Sequence, residues 1–140
     1  MKAITLWQPW ASMVALGLKK VETRSWGPRH RGPLAIHAAK SIPMGARAMA
    51  REIARQFDLD LDSLPRGKIV AVCVLDSIKP TDELVNTLST AELLAGDYTD
   101  GRWGWILKDV RKVIPFRVKG GQSLWTFKQA GELELVEEVR

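Results

Sequence analysis

The sequence predicts an α+β domain: a closed or nearly closed mixed β-barrel of about five to seven short strands, with two or three helices packed around it. Three observations predict it. Apolar runs of strand length recur along the 140 residues, separated by Pro, Gly or polar turns: "KAITL", "PLAIHAAK", "KIVAVCVLDSI", "RWGWILKDVRKV" and "SLWTF". Two segments change to helical spacing, Trp10–Met13–Val14 and Ala46–Ala50–Ile53–Phe57. The apolar fraction of 46% and charged fraction of 26% suit one core in a chain of this length, and no repeat or linker divides it.

Each element follows in order. "KAITL" reads as a strand, and Pro9 is suited to the first position of a helix. Trp10, Met13 and Val14 give that helix an apolar face, and Gly17 supplies its stop. "KVETRSW" alternates, which places Lys20, Glu22 and Arg24 on one side of a strand and Val21 and Thr23 on the other. "GPRHRGP" is a basic turn, and "PLAIHAAK" an apolar strand in which His37 reads as a structural, partly buried imidazole. From Pro43 to about Phe57 a helix is expected, with Arg47, Arg51 and Arg55 along its far face; Glu52 can relieve only Arg55. "DLDLDSLPRG" reads as a linker. The near-continuous apolar run of "KIVAVCVLDSI" predicts a strand covered on both faces. Residues 81–96 read as helix or turn with caps available at Thr81 and Ser89. "RWGWILKDVRKV", "IPFRV", "SLWTF" and "LELVEEV" read as separate short strands.

Charge is unevenly distributed. Residues 1–70 hold 12 Lys and Arg against 5 Asp and Glu, whereas residues 71–140 hold 9 against 11, which together give the net +5. A one-sided positive charge points to an anionic partner, nucleic acid being the commonest. Cys73, the single cysteine, rules out an intrachain disulfide and reads as a buried thiol. Two His and one Cys without ligand-like spacing argue against a metal site, and no cofactor is expected. GxxxxGK[ST], GxGxxG and Gly-x-Ser-x-Gly are all missing. No segment reaches the ~20 apolar residues of a membrane span and no signal-like run opens the chain, so a cytoplasmic monomer away from membranes is expected.

The stretch "QPWASMVALGLKKVETRSW" gathers large aromatics, cations and one carboxylate. On a surface, Lys19, Glu22 and Arg24 would form ion pairs worth ~0–1 kcal/mol each. Held inward beside an indole they would suit a splayed nucleotide. Trp10 or Trp26 would stack on the base, Lys19 and Arg24 would meet phosphate or a base carbonyl, and Glu22 would accept from a base amino group.

Gly17-x-Lys19-x-x-Glu22-x-Arg24 resembles the signature of the ASCH domain family, whose fold is similar to the PUA domains of RNA-modifying proteins. "RGPLAIHAAK", "GRWGWILKDVRKV" and "VKGGQSLW" resemble that family's later blocks, so the likeness spans nearly the whole chain. The resemblance implies that residues 1–140 form a single PUA-like mixed β-barrel. It also implies a cleft for single-stranded RNA or an unpaired or modified nucleotide, with Gln8, Trp10, Lys19, Glu22, Arg24, Trp26, Arg29, Arg31, Lys40 and Ser123 as binding residues. An enzymatic alternative comes with it. Some members resemble amidohydrolases of acylated cytidine nucleosides that use a Lys, a Thr three positions later and a strand carboxylate. Here those positions fall on Lys19 and Glu22, with Thr23 next door and Asp76 as the strand acid. Another member resembles a metal-independent ribonuclease using Tyr, Lys and Ser, for which Tyr98, Lys19 and Ser123 are the residues of the right type. If the protein is an enzyme, Lys19 and Glu22 are its candidate catalytic pair.

Overall fold

The structure is a computed structural model that describes residues 1–128. Six strands form one sheet: β1 (Lys2–Leu6), β2 (Val21–Arg24), β3 (Gly32–Ala38), β4 (Lys68–Pro80), β5 (Trp103–Arg117) and β6 (Leu124–Thr126). Their order is β2-β5-β4-β3-β1-β6, with β1 and β3 parallel and every other pair antiparallel. The sheet curls into a half-barrel in which, among the described residues, β2 and β6 are the outermost strands. Four short helices accompany it: α1 (Trp10–Ala15), α2 (Arg47–Gln56), α3 (Thr81–Leu84) and α4 (Thr90–Leu94). This is the PUA-like α+β architecture the sequence predicts.

The main core lies inside the curl. Ile4, Leu6, Val14, Leu34, Ile36, Leu75, Leu107 and Trp105 fill it, and the Trp105 ring is wholly enclosed. A ring of that size carries an N–H that needs a partner once buried, and the Trp105 indole donates to the Trp26 carbonyl at 3.1 Å. A second cluster of Ala3, Ala35, Ile69, Val113 and Phe127 packs on the opposite face, since Ala3 and Ala35 alternate with Ile4 and Ile36 along β1 and β3. The buried stripe of α2 lies where its spacing predicts, through Ala46, Ala50 and Ile53, with Phe57 half-buried.

Several sequence expectations need correction. Pro9 precedes α1 instead of opening it, and the helix starts at Trp10. The segment from Pro43 divides into a 3-10 turn at Met44–Ala46 and α2 proper. A second 3-10 turn, Leu61–Ser63, interrupts the expected linker. Thr81 caps nothing; its hydroxyl donates to the Thr99 and Arg102 carbonyls. Ser89 does cap α4, accepting from the Glu92 N–H at 3.2 Å. "RWGWILKDVRKV" and "IPFRV" are one strand, not two. Pro115 lies inside β5, at a register shift between the pairs Ala71–Lys112 and Ile69–Phe116, where β5 carries extra residues relative to β4. A bulge releases proline from the ladder bond it cannot make. "LELVEEV" lies outside the described residues.

Two expectations about isolated side chains hold. Cys73 is buried and unpaired, and burial pushes its thiol up to about 12. His37 is 2% exposed within a closed chain of hydrogen bonds. Its Nε2 lies 2.7 Å from the Val118 carbonyl, which can only accept, so Nε2 donates. Nδ1 then accepts from the Thr5 hydroxyl at 3.1 Å, and Thr5 Oγ1 accepts the Trp125 indole N–H at 3.0 Å. A neutral imidazole protonated at Nε2 satisfies this chain, and burial lowers the His37 pKa in the direction that favours it.

Candidate functional site

The ending of α1 builds the site. The Met13 carbonyl accepts from the Leu18 and Lys19 N–H groups and the Val14 carbonyl from Gly17. Gly17 has φ of +76°, a conformation that favours glycine. The reversal tucks Lys19 under the sheet edge, where only 1% of the residue remains exposed. Its ammonium donates to the Ala95 carbonyl, at the C-terminal end of α4, at 2.9 Å and lies 3.9 Å from Glu22 Oε1. Arg24 donates to Glu22 Oε2 at 3.4 Å and to the Thr5 carbonyl at 3.2 Å. The three charged tips therefore converge, with the carboxylate between two cations.

Glu92 holds this arrangement from behind. Its carboxylate accepts from the Lys20 and Val21 N–H groups, each at 2.9 Å, and so pins the start of β2 to α4. Burial lowers the Lys19 pKa as the dominant influence; Glu22 and Glu92 act in the opposite direction, and Arg24 adds weakly to the lowering.

Above these groups opens a cleft of ≈ 430 Å³. Glu22, Arg24, Asp97 and Arg102 supply its polar surface, while Trp7, Trp10, Met49 and Leu94 supply apolar walls. Glu22 and Thr23 both border it, although neighbours on a strand point to opposite faces. The reason is that β2 is an edge strand and the turn at 95–97 wraps around it. The Asp97 N–H donates to Thr23 Oγ1 at 3.1 Å, and Arg102 donates to the Thr23 carbonyl at 3.3 Å. Cleft and floor together hold Lys19, Arg24 and Arg102 against Glu22, Glu92 and Asp97, so the interior is nearly balanced in charge instead of uniformly basic.

Of the residues singled out from sequence, Trp10, Glu22 and Arg24 line the cleft and Lys19 lies beneath it. The others lie elsewhere. Gln8 is buried and fully engaged, donating to Ser12 Oγ and the Pro65 carbonyl and accepting from the Ser12 N–H. Trp26 packs edge-on against Trp105, with ring centres 5.0 Å apart. Arg29 and Arg31 are exposed in the turn before β3, where Arg31 binds the Pro28 and His30 carbonyls. Lys40 passes over Gly67, and Ser123 is exposed with φ of +56° before β6. Asp76 is paired with Lys108 at 3.3 Å on the exposed part of β4 and does not line the cleft. Tyr98 has a buried hydroxyl without a partner among the described residues; burial raises its pKa, and Glu92 and Glu22 raise it further. Arg51 and Arg55 are paired with Asp62 and Glu52, and Arg47 binds the Ile42 carbonyl.

Sequence reasoning missed Trp7, Met49, Glu92, Leu94, Asp97 and Arg102 as parts of the candidate site. Glu92 had a signal, since Ser89-x-x-Glu92 is a capping-box spacing, but its side chain turns to β2 instead.

Comparison with known proteins agrees with this architecture. Activating signal cointegrator 1 from Mus musculus is 29% identical over 133 aligned residues, covering 87% of this chain and 21% of that protein; the Homo sapiens protein is 27% identical over the same span. The chain thus spans about a fifth of the length of these relatives. The crystal structure of ASCH from Zymomonas mobilis superposes with a TM-score of 0.57 at 17% identity, covering 91% of this chain and 87% of that one. Two mutant structures of the Zymomonas mobilis protein both superpose with TM-scores of 0.56. Residues 4–119 match the ASCH domain, and the chain belongs to that family.

Proposed function

We propose that the cleft holds one base of single-stranded RNA, or an unpaired or modified nucleotide. The observation that carries this reading is the Glu22 carboxylate, fixed between Lys19 and Arg24 at the foot of a cleft walled by Trp7 and Trp10. A carboxylate so held retains lone pairs for an exocyclic amino group, the hydrogen-bond partner a cytosine offers. The indoles offer π-faces to any base, a contact worth ~1–3 kcal/mol. Near-balance of charge suits an uncharged base, while phosphates would remain at the rim with Arg24 and Arg102. The test is binding of a fluorescent single-stranded RNA octamer by anisotropy. Trp10→Ala should weaken it by roughly ten- to a hundredfold; a change under twofold would remove Trp10 from the reading.

A second reading, a small hydrolase of acylated cytidine nucleosides or of RNA, draws on one observation: burial depresses the Lys19 pKa, as a general base requires. Against it, Lys19 lies under the cleft wall with its ammonium directed to Ala95, and the strand acid Asp76 is outside the cleft. Turnover of N-acylated cytidine or labelled RNA that disappears in Lys19→Ala would establish it. Absence of turnover with either substrate would dismiss it.

A further inference from the structure

A second concavity is formed where residues 62–66 meet the paired ends of β4 and β5. It is a shallow groove of ≈ 670 Å³ whose cations are Arg66, Lys68 and Arg117. Lys68 and Arg117 are directly opposed across the β4–β5 ladder. Like charges at that position repel, and nothing among the described residues lining the groove relieves them. Asp62 is the one carboxylate lining it among those residues, and Arg51 already holds both its oxygens, at 3.4 and 3.2 Å. Lys40 borders the same place through its stem over Gly67.

The groove adjoins the cleft. Leu64, on the groove wall, packs in the same apolar cluster as Trp10 on the cleft wall. Gln8, next to Trp7, donates to the carbonyl of Pro65 on the groove side. A nearly neutral, aromatic cleft and a cationic trough therefore share one packed apolar cluster between them.

We propose that this groove is a phosphate track for the strand whose base occupies the cleft, so that the ligand is an oligonucleotide rather than a free nucleoside. The inference rests on the nucleotide reading of the cleft. It divides the work between two surfaces, with the cleft selecting a base and the groove supplying most of the electrostatic affinity. Phosphates neutralised there would release counterions, each cation contributing about 0.7 to the slope of log affinity against log salt for a single strand.

The experiment compares the whole 140-residue chain with its Arg66→Gln/Lys68→Gln/Arg117→Gln variant, using cytidine and a mixed-sequence single-stranded RNA octamer as probes. Unchanged circular dichroism and melting establish that the variant is folded. The native protein should bind the octamer at least tenfold more tightly than cytidine. The variant should lose most of that gain, show a salt slope shallower by about 2, and bind cytidine unchanged. An octamer affinity and salt slope unaltered in the variant would overturn the phosphate track while leaving the cleft reading intact. Failure of the native protein to bind either probe would overturn both. Equal loss of octamer and heparin binding, with heparin initially bound as tightly, would reduce the groove to a general polyanion surface and overturn the inference too.

Discussion

Lys19 shows how far single residues can be read in a sequence. That its charge would be placed beside Glu22 and Arg24 is legible from the spacing and the glycine stop. Which influence dominates its proton affinity is not, because α4, far along the chain, supplies both the Ala95 carbonyl beside the buried ammonium and the opposing charge of Glu92. His37 was legible as structural from its small neighbours, while its partners Thr5, Val118 and Trp125 come from three other segments. Its burial lowers the imidazole pKa, which has a definite consequence. The unfolded chain takes up a proton near pH 6.5 and the folded one resists, so this contribution to stability is present above that pH and is lost as pH falls towards the folded value. The unfolding free energy from urea titration should fall as pH drops below about 6.5, by at most ~1.4 kcal/mol per pH unit from this group. His37→Gln should flatten that part of the profile; an unchanged profile would remove His37 as its source.

Among the elements, the α4–β2 junction governs the site. Glu92 accepts from two backbone N–H groups at the start of β2, that of the buried Val21 among them, and Ala95 at the end of α4 receives Lys19. An unmet buried donor costs about 1–3 kcal/mol. Glu92→Ala should therefore lower unfolding free energy by ~3 kcal/mol in urea titration and weaken octamer binding, with Glu92→Gln milder in both. A Glu92→Ala loss below about 0.5 kcal/mol would show that the junction carries no such weight. Elements with strong periodicity, β1, β3, β4 and the α2 stripe, were legible because burial there is set by local spacing. The continuity of β5 was not, since tolerance of Pro115 depends on a register shift with β4 that no local pattern encodes. The role of the 95–97 turn was equally hidden: it follows from β2 being an edge strand, a property of topology.

At the scale of the whole molecule, the half-barrel leaves β2 and β6 outermost among the described residues and places β3 and β4 between neighbours on both sides. Backbone protection should follow that order. Hydrogen exchange is predicted to be slowest in β3 and β4 and faster in β2 and β6, and equal protection of β2 and β4 would contradict the topology. The net +5 of the chain points to an anionic partner without saying where the charge lies: the cleft is nearly balanced, while Arg66, Lys68 and Arg117 line the neighbouring groove. Cations read along the sequence cannot be assigned to one surface until the sheet order is known.

The proposed base discrimination by Glu22 is tested most directly by calorimetric titration of cytidine and uridine against the native protein and Glu22→Gln. Cytosine offers an amino group where uracil offers a carbonyl oxygen. The predicted result is about tenfold tighter binding of cytidine, equivalent to ~1.4 kcal/mol, and loss of that preference in Glu22→Gln. Equal affinity of the native protein for the two nucleosides, or a preference that survives in Glu22→Gln, would contradict it.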